Sequence, residues 1–325
     1  MIISKTPFRI SLIGGGTDFP EYYKKKPGLV IGGTIDKYCY VSARFLPEVF
    51  DYKHRIVWSK NEVVNSNNQI IHPTVKSVFK NLNIKKGLEI HYQGDLQKNS
   101  GLGTSSSFCV GLINSLKVLH KKKLNKNELA KIAINIEQNI MREKCGSQDQ
   151  IWAAYGGFNA IEFRNKSFSV KSLNLPNSKL INLSKNLFLI YTGINKFSHT
   201  VENDKISNLN KNQKHLTKIY NLAKDFRYNI LNNDNFDFIG PTLKEYWSIK
   251  KSLSKKVSNN LIDEIYNESL NAGATGGKVI GSGGGGFLLI YCKKKHHLSL
   301  KNRLKKLPII KFNFINEGSK IIFKS

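Results

Sequence analysis

Cysteine is scarce and scattered: Cys39, Cys109, Cys145 and Cys292 are the only four in 325 residues, and none forms a CxxC pair. That spacing argues against a zinc site and fits reduced thiols in a cytoplasmic protein. No run of about 18 apolar residues occurs, so no membrane-spanning helix is expected. Met1–Pro7 reads as a strand and lacks the layout of a signal peptide. Acidic residues are few, 23 against 51 Lys and Arg, for a net charge of +28. Such a charge suggests nucleic acid first. The lysines, however, are spread among asparagines and isoleucines. The short clusters Lys24–Lys26, Lys121–Lys123 and Lys293–Lys295 have no interleaved aromatic residues and read as solvated loops and helix ends. No specific nucleic-acid partner is expected, and the excess charge would instead draw anionic metabolites towards a cleft. There is no internal repeat, no low-complexity linker and no GxxxxGK[ST] loop.

What is present is a globular composition, 40% hydrophobic and 10% aromatic, long enough for two domains. Strand-like segments at Val30–Ile35, Tyr38–Ala43 and Leu88–Tyr92 alternate with helical ones. Pro73 opens one helix, a stripe through Val110, Ile113, Leu116 and Leu119 marks a second, and Leu129, Ala133, Ile136 and Ile140 mark a third after candidate caps Asn125 and Asn127. A strand at Leu187–Tyr191, a helical region over 200–271 and strands near 278–292, 309–314 and 321–323 follow. A division at residue 185 separates domains 1–185 and 186–325.

Three glycine blocks stand beside these elements. Gly14-Gly15-Gly16-Thr17-Asp18 follows the strand-like Phe8–Ile13. Gly281-Ser282-Gly283-Gly284-Gly285-Gly286 precedes Phe287–Tyr291. Between them, Asn99-Ser100-Gly101-Leu102-Gly103-Thr104-Ser105-Ser106-Ser107 runs straight into a helix. Glycine lets the backbone turn its N–H groups onto one anion, and the helix N-terminus adds to that attraction. The middle block therefore reads as a phosphate cradle, the alternative being an ordinary capped helix after a turn.

Two carboxylates complete the pattern. Glu137 follows Ile136 at the edge of a buried stripe, where either a solvated boundary glutamate or an inward ligand fits. Asp149 lies in Cys145–Gln150, just before the apolar Ile151–Ala154, as a helix cap or a catalytic group. Phosphoryl transfer needs phosphate donors, a hydroxyl and carboxylate for a metal ion, and a group for the acceptor. Ser105, Glu137 and Asp149 are candidates for the last three parts.

In this order and spacing the blocks resemble the GHMP kinase superfamily of galactokinase, homoserine kinase, mevalonate kinase and phosphomevalonate kinase. The resemblance implies an α+β fold of two domains, an N-terminal ribosomal-S5-like α/β domain and a C-terminal ferredoxin-like α+β domain, with the active site between them. It implies ATP and Mg²⁺ as cofactors, with Gly101, Leu102, Gly103, Thr104, Ser105 and Ser106 around the phosphates and Ser105 and Glu137 on the metal ion. Asp149 would be the base or orienting acid, Arg9 would stabilise charge beside it, and Asp18 would bind sugar hydroxyls. Gly284 and Gly285 would lie against the sugar, and Trp58, Ser59 and Lys60 near the adenine.

Galactokinases carry a Glu-His pair where this chain has Gly15 and Gly16. That change would open the distal end of the sugar pocket and delete a negative charge, suiting a longer sugar with an anionic tail. The triple glycine, with Ser198-His199 and the Trp247–Ser254 helix, is similar to the bacterial D-glycero-D-manno-heptose 7-phosphate kinases. Those enzymes phosphorylate the anomeric C1 hydroxyl to give the 1,7-bisphosphate, on the route to GDP-heptose and surface polysaccharide such as capsule or lipopolysaccharide. Lys24–Lys26, and Lys196 with His199, are candidate partners for the 7-phosphate, with surface solvation the alternative for each lysine. Another anomeric sugar kinase, fucokinase- or galactokinase-like, is the alternative function. A cytoplasmic monomer or homodimer is expected.

Overall fold

The computed structural model describes residues 1–97, 100–194, 198–208 and 211–325. Its first sheet is built from β1 (Ile2–Ile13), β2 (Gly28–Phe45), β3 (His54–Val57), β4 (Asn61–Val64), β5 (Leu88–Gly94), β6 (Phe158–Arg164) and β7 (Ser167–Ser172). The order is β1-β2-β5-β3-β4, with β6 on the first half of β2 and β7 outside β6. The two strands expected over 30–43 are one long strand that changes partner along its length: Gly28–Gly33 pairs with β6, and Cys39–Phe45 with β5. Its first half is buried throughout, while its second half alternates as a half-buried strand should.

Helices α1 (Pro20–Tyr23), α2 (Pro73–Leu82), α3 (Thr104–Leu119), α4 (Lys126–Asn135) and α5 (Gln148–Tyr155) accompany this sheet. Of the two candidate caps for α4, Asn125 is the one used. Its Oδ1 accepts from the Glu128 N–H at 2.9 Å, and a Glu128 carboxylate oxygen accepts from the Asn125 N–H at 2.8 Å. Such a reciprocal cap contributes about 1 kcal/mol. Beyond Asn135 the helix widens into a π turn, Ile136–Ile140. A π turn holds an extra residue, which rotates side chains away from the α-helical stripe. Glu137 is thereby carried inside, at 2% exposure.

A second, antiparallel sheet has the order β11-β8-β10-β9, from β8 (Leu187–Tyr191), β9 (Ala274–Val279), β10 (Phe287–Cys292) and β11 (Ile309–Ile310). Its helices are α6 (Asn177–Lys185), α7 (Ser198–Ser207), α8 (Gln213–Asn232), α9 (Ile239–Ser252), α10 (Asn260–Asn271) and α11 (His297–Arg303). The expected unit 186–325 does not keep to itself. Its last strands, β12 (Phe314–Ile315) and β13 (Lys320–Lys324), return to pair with β2 and β1. Helix α8 buries Leu216, Ile219, Ala223, Phe226 and Ile230 in the first core. The physical reason is cover: β1 would otherwise present an open row of backbone groups, and β2 a bare apolar face. Glu162 on β6 ties α8 down by accepting from Arg227 Nη1 at 2.6 Å. No described helix is long and apolar enough to cross a membrane.

Candidate active site

The register of β1 against β2 slips between Pro7 and Arg9. Such irregularities re-aim side chains next to sites. Here Arg9, 4% exposed, points across the phosphate-type loop. Its Nε and Nη2 donate to the two oxygens of Asp149 at 2.7 and 2.6 Å, and Nη1 donates to the Gly101 carbonyl at 2.7 Å. The Arg9 backbone N–H donates to the Leu102 carbonyl at 3.0 Å. One guanidinium thus joins Asp149, in the first turn of α5, to the loop that opens α3. A paired fork of this kind fixes the carboxylate in position as well as in charge.

Gly103 caps α3 with φ +75°, and a Cβ there would stand 3.3 Å from both Arg9 Cγ and Asp149 Oδ2. Only glycine allows that backbone and that approach at once. Lacking a side-chain cap, the first N–H groups of α3 face the cavity, the arrangement that attracts anions. Gly101, Gly103, Thr104, Ser105 and Ser106 line this cavity, of about 540 Å³. Leu102 is fully buried and contributes its carbonyl instead.

Ser105 was expected to share a metal ion with Glu137. The hydroxyl that reaches Glu137 is Ser106 Oγ, donating to Oε2 at 2.8 Å. Successive helical residues differ by about 100°, so the buried Ser106 turns towards Glu137 while Ser105 stays exposed on the cavity wall. Gln150 Nε2 also donates to Oε2. Glu137 Oε1 is buried with no protein partner. Burial, then the nearby Glu143, pushes the Glu137 carboxyl up to about 8. A carboxylate oxygen left unmatched beside a phosphate-type loop fits a cation such as Mg²⁺.

The cavity has an aromatic end. Trp58 and Ser59 line it with His72, Tyr92 and Phe108. The rings touch edge to face or tilted: Trp58–His72 at 4.7 Å, His72–Phe108 at 5.1 Å and Tyr92–Phe108 at 5.1 Å. Lys60 is exposed and outside this lining. Tyr92, His72 and Phe108 escaped notice in the sequence because β5, the cap of α2 and α3 each supply one.

A second, narrower lobe meets the first at Arg9, Ser106 and Asp149. Gly15, Gly16 and Asp18 line it, opposite Tyr246 of α9. Asp18 is buried, and its Oδ1 accepts from the Gly16 N–H at 2.9 Å. Burial raises its pKa, with the Asp149 charge a smaller contribution in the same direction. Gly146 is required by space, since a Cβ there would lie 1.9 Å from Asp18 Oδ2. In the same lobe Ser11 Oγ, Gln148 Oε1 and Gln150 Oε1 are buried without protein partners. Unmatched polar atoms of this kind call for a ligand rich in hydrogen-bonding groups.

Three expectations need correction. The space facing Gly15 and Gly16 is not open: Tyr246 Oη would stand 3.1 Å from a Gly15 Cβ, and Leu216 Cδ2 the same distance from a Gly16 Cβ. Tyr246 also donates to the Gly15 carbonyl at 3.0 Å, so α8 and α9 occupy what the small residues vacate. Gly284 and Gly285 line neither lobe; Gly284 donates to the Val257 carbonyl at 2.7 Å and Gly285 packs on Ile194. Gly281 and Ser282 are the residues of that turn facing both lobes. Lys24–Lys26 follow α1 at the surface, outside both. Lys196 and the His199 side chain lie outside the described residues. The lysines on the wall of the second lobe are instead the buried Lys250 and Lys278. Lys250 was legible as a lysine continuing the stripe Leu243, Tyr246, Trp247 at helical spacing.

With this geometry in hand, comparison with known proteins is decisive. The family model for the GHMP kinases N terminal domain matches residues 69–157, and that for the GHMP kinases C terminal matches residues 244–307. The chain belongs to the GHMP kinase family. This GHMP kinase is 29% identical over 335 aligned residues to the D-glycero-alpha-D-manno-heptose 7-phosphate kinase of Campylobacter jejuni subsp. jejuni serotype O:2, covering 98% of each chain. It is 23% identical to a Pyrococcus furiosus galactokinase, over 96% of this chain and 95% of that one. Among solved structures, a D-glycero-D-manno-heptose 1-phosphate kinase from Bacteriodes thetaiotaomicron superposes with a TM-score of 0.82 at 22% identity, covering both chains fully. A Lactococcus lactis galactokinase complexed with galactose gives 0.74 at 16% identity, over 98% of this chain and 94% of that one. The expected α+β GHMP kinase fold therefore holds, and this GHMP kinase is a phosphotransferase acting on a sugar hydroxyl.

Proposed function

We propose that the protein is an ATP-dependent sugar-1-kinase converting D-glycero-D-manno-heptose 7-phosphate into the 1,7-bisphosphate. The observation that carries this reading is the Asp149 carboxylate, clamped by Arg9 where the two lobes meet. The aromatic lobe takes the nucleotide, with adenine against Trp58 and the phosphates on the α3 N-terminus. The second lobe takes the sugar. Ser11, Gln148 and Gln150 offer unmatched groups to its hydroxyls, and Asp18 accepts from another.

In the transfer, the C1 oxygen bonds to the γ-phosphorus as that phosphorus loses its bond to the bridging oxygen, whose electron pair leaves with ADP. The hydroxyl proton passes to an Asp149 oxygen. Asp149 also holds the acceptor in line, and Arg9 balances the charge that gathers beside it. Glu137, with the hydroxyl of Ser105 or Ser106, would hold Mg²⁺, which when bound neutralises charge on the phosphate oxygens.

A phosphorylated acceptor is supported by the relatives' names and by the two lysines on the acceptor-lobe wall. This reading puts the enzyme in the cytoplasm, on the route to GDP-heptose and surface polysaccharide. ADP release measured against heptose 7-phosphate, free heptose, galactose and fucose tests it, with ³¹P NMR locating the new phosphate. Preference for the 7-phosphate and a new C1 phosphate ester are expected. Equal turnover of galactose would overturn the substrate, and no ADP from any sugar would overturn the reaction.

A further inference from the structure

The chain after Glu137 doubles back in an unusual way. It leaves the π turn through Arg142, a non-glycine residue at φ +57°. That left-handed conformation is sparsely used by side-chain-bearing residues and reverses the chain direction sharply. The Glu143 N–H then donates to the Glu137 carbonyl at 2.9 Å, and the Cys145 N–H to the Glu143 carbonyl at 3.0 Å. The reversal brings a second carboxylate to the first: ligand atoms of Glu137, Glu143 and Cys145 all lie within 4.8 Å of one another. All three residues line the cavity together with Ser105 and Ser106.

Two carboxylates this close repel each other unless a proton or cation lies between them. The Glu137 oxygen Oε1, on a residue 2% exposed, has no protein partner. Oxygen ligands on one hard ion such as Mg²⁺ or Mn²⁺ stand at most about 4.4 Å apart, so carboxylates already within 4.8 Å need only a small side-chain shift to share one. The Cys145 thiol is a poor partner for such an ion, because a hard cation prefers oxygen ligands to sulfur.

We propose that Glu143 is a second carboxylate ligand, completing with Glu137 a divalent-cation site that loads before the nucleotide. The inference rests on the kinase reading for its purpose but not for its geometry. A second carboxylate adds ligand charge, which raises cation affinity and lessens the dependence on substrate phosphates to retain the ion. Glu143 would then set the cation affinity of the enzyme, with Ser106 and Gln150 holding Glu137 in its orientation.

The test is Mn²⁺ binding to the full chain without nucleotide, read from loss of the free-ion electron paramagnetic resonance signal. One bound equivalent is expected for the wild type. Glu143→Gln should weaken binding about tenfold or more, and Glu137→Gln should abolish it. Glu143→Asp, which keeps the charge, should recover part of the loss and serves equally if the glutamine variant fails to fold. No binding to the wild type, or wild-type affinity in Glu143→Gln, would overturn the proposal. Wild-type binding lost in Glu143→Gln, in a protein that releases no ADP with any sugar, would leave the cation site standing and the kinase reading refuted.

Discussion

Replacing Arg9 with alanine removes three hydrogen bonds that converge on one guanidinium, two to Asp149 and one to the Gly101 carbonyl. A bond to a charged partner contributes about 1.5–3 kcal/mol. The two to Asp149 act as one fork on a side chain 24% exposed, so they are taken together as about 3 kcal/mol of lost orientation. Releasing the Gly101 carbonyl adds about 1 kcal/mol. At about 1.4 kcal/mol per decade, kcat/KM should fall roughly 10²- to 10³-fold. Arg9→Lys keeps the charge but is a single point donor that cannot span carboxylate and carbonyl together, so it should recover only part of the loss. The assay is coupled ADP release at saturating nucleotide, with a thermal melt to show that the variant is folded. A folded Arg9→Ala enzyme within about threefold of wild type would refute the argument that this fork orients Asp149.

Three further outcomes follow from the same geometry. Ser106→Ala should weaken Mn²⁺ binding and slow ADP release more than Ser105→Ala does, because Ser106 is the hydroxyl on Glu137; parallel titrations and rates decide between them. Trp58→Ala should raise the KM for ATP roughly tenfold by removing about 1–2 kcal/mol of aromatic contact, while leaving the KM for the sugar nearly alone; the converse pattern would move adenine elsewhere. Glu162→Ala frees Arg227 and Lys171 and loosens α8 from β6, so urea unfolding should show a loss of about 1 kcal/mol, and no change would make that pairing incidental.

The loop that opens α3 and the glycine turns were legible as special backbone, because glycine advertises a chain that must bend or come close. Arg9 and Asp149 came through the family pattern; nothing local joins residues 140 positions apart. Local pattern placed Glu137 only at the edge of a stripe, because the π turn that carries it inward has no periodic signature. The choice between Ser105 and Ser106 depends on the helical phase at which α3 starts, which a run of hydroxyl residues hides. Gly15 and Gly16 misled for another reason: the absence of a side chain says nothing about what fills the space, and Tyr246 and Leu216 come from helices more than 190 residues later. The chain crosses the expected division at residue 185 both at helix α8 and at its last strands. Short strands at 314–315 and 320–324 carry no mark of the sheet they will join, since edge pairing is settled by which strand lies uncovered.

The central claim is that Asp149 addresses the acceptor hydroxyl rather than serving the fold. Single-turnover transfer by Asp149→Asn, with nucleotide binding measured in the same preparation, examines that most directly. A protein that still binds ATP but transfers its phosphoryl group about 10²- to 10⁴-fold more slowly is expected. Transfer within about threefold of wild type would contradict the claim.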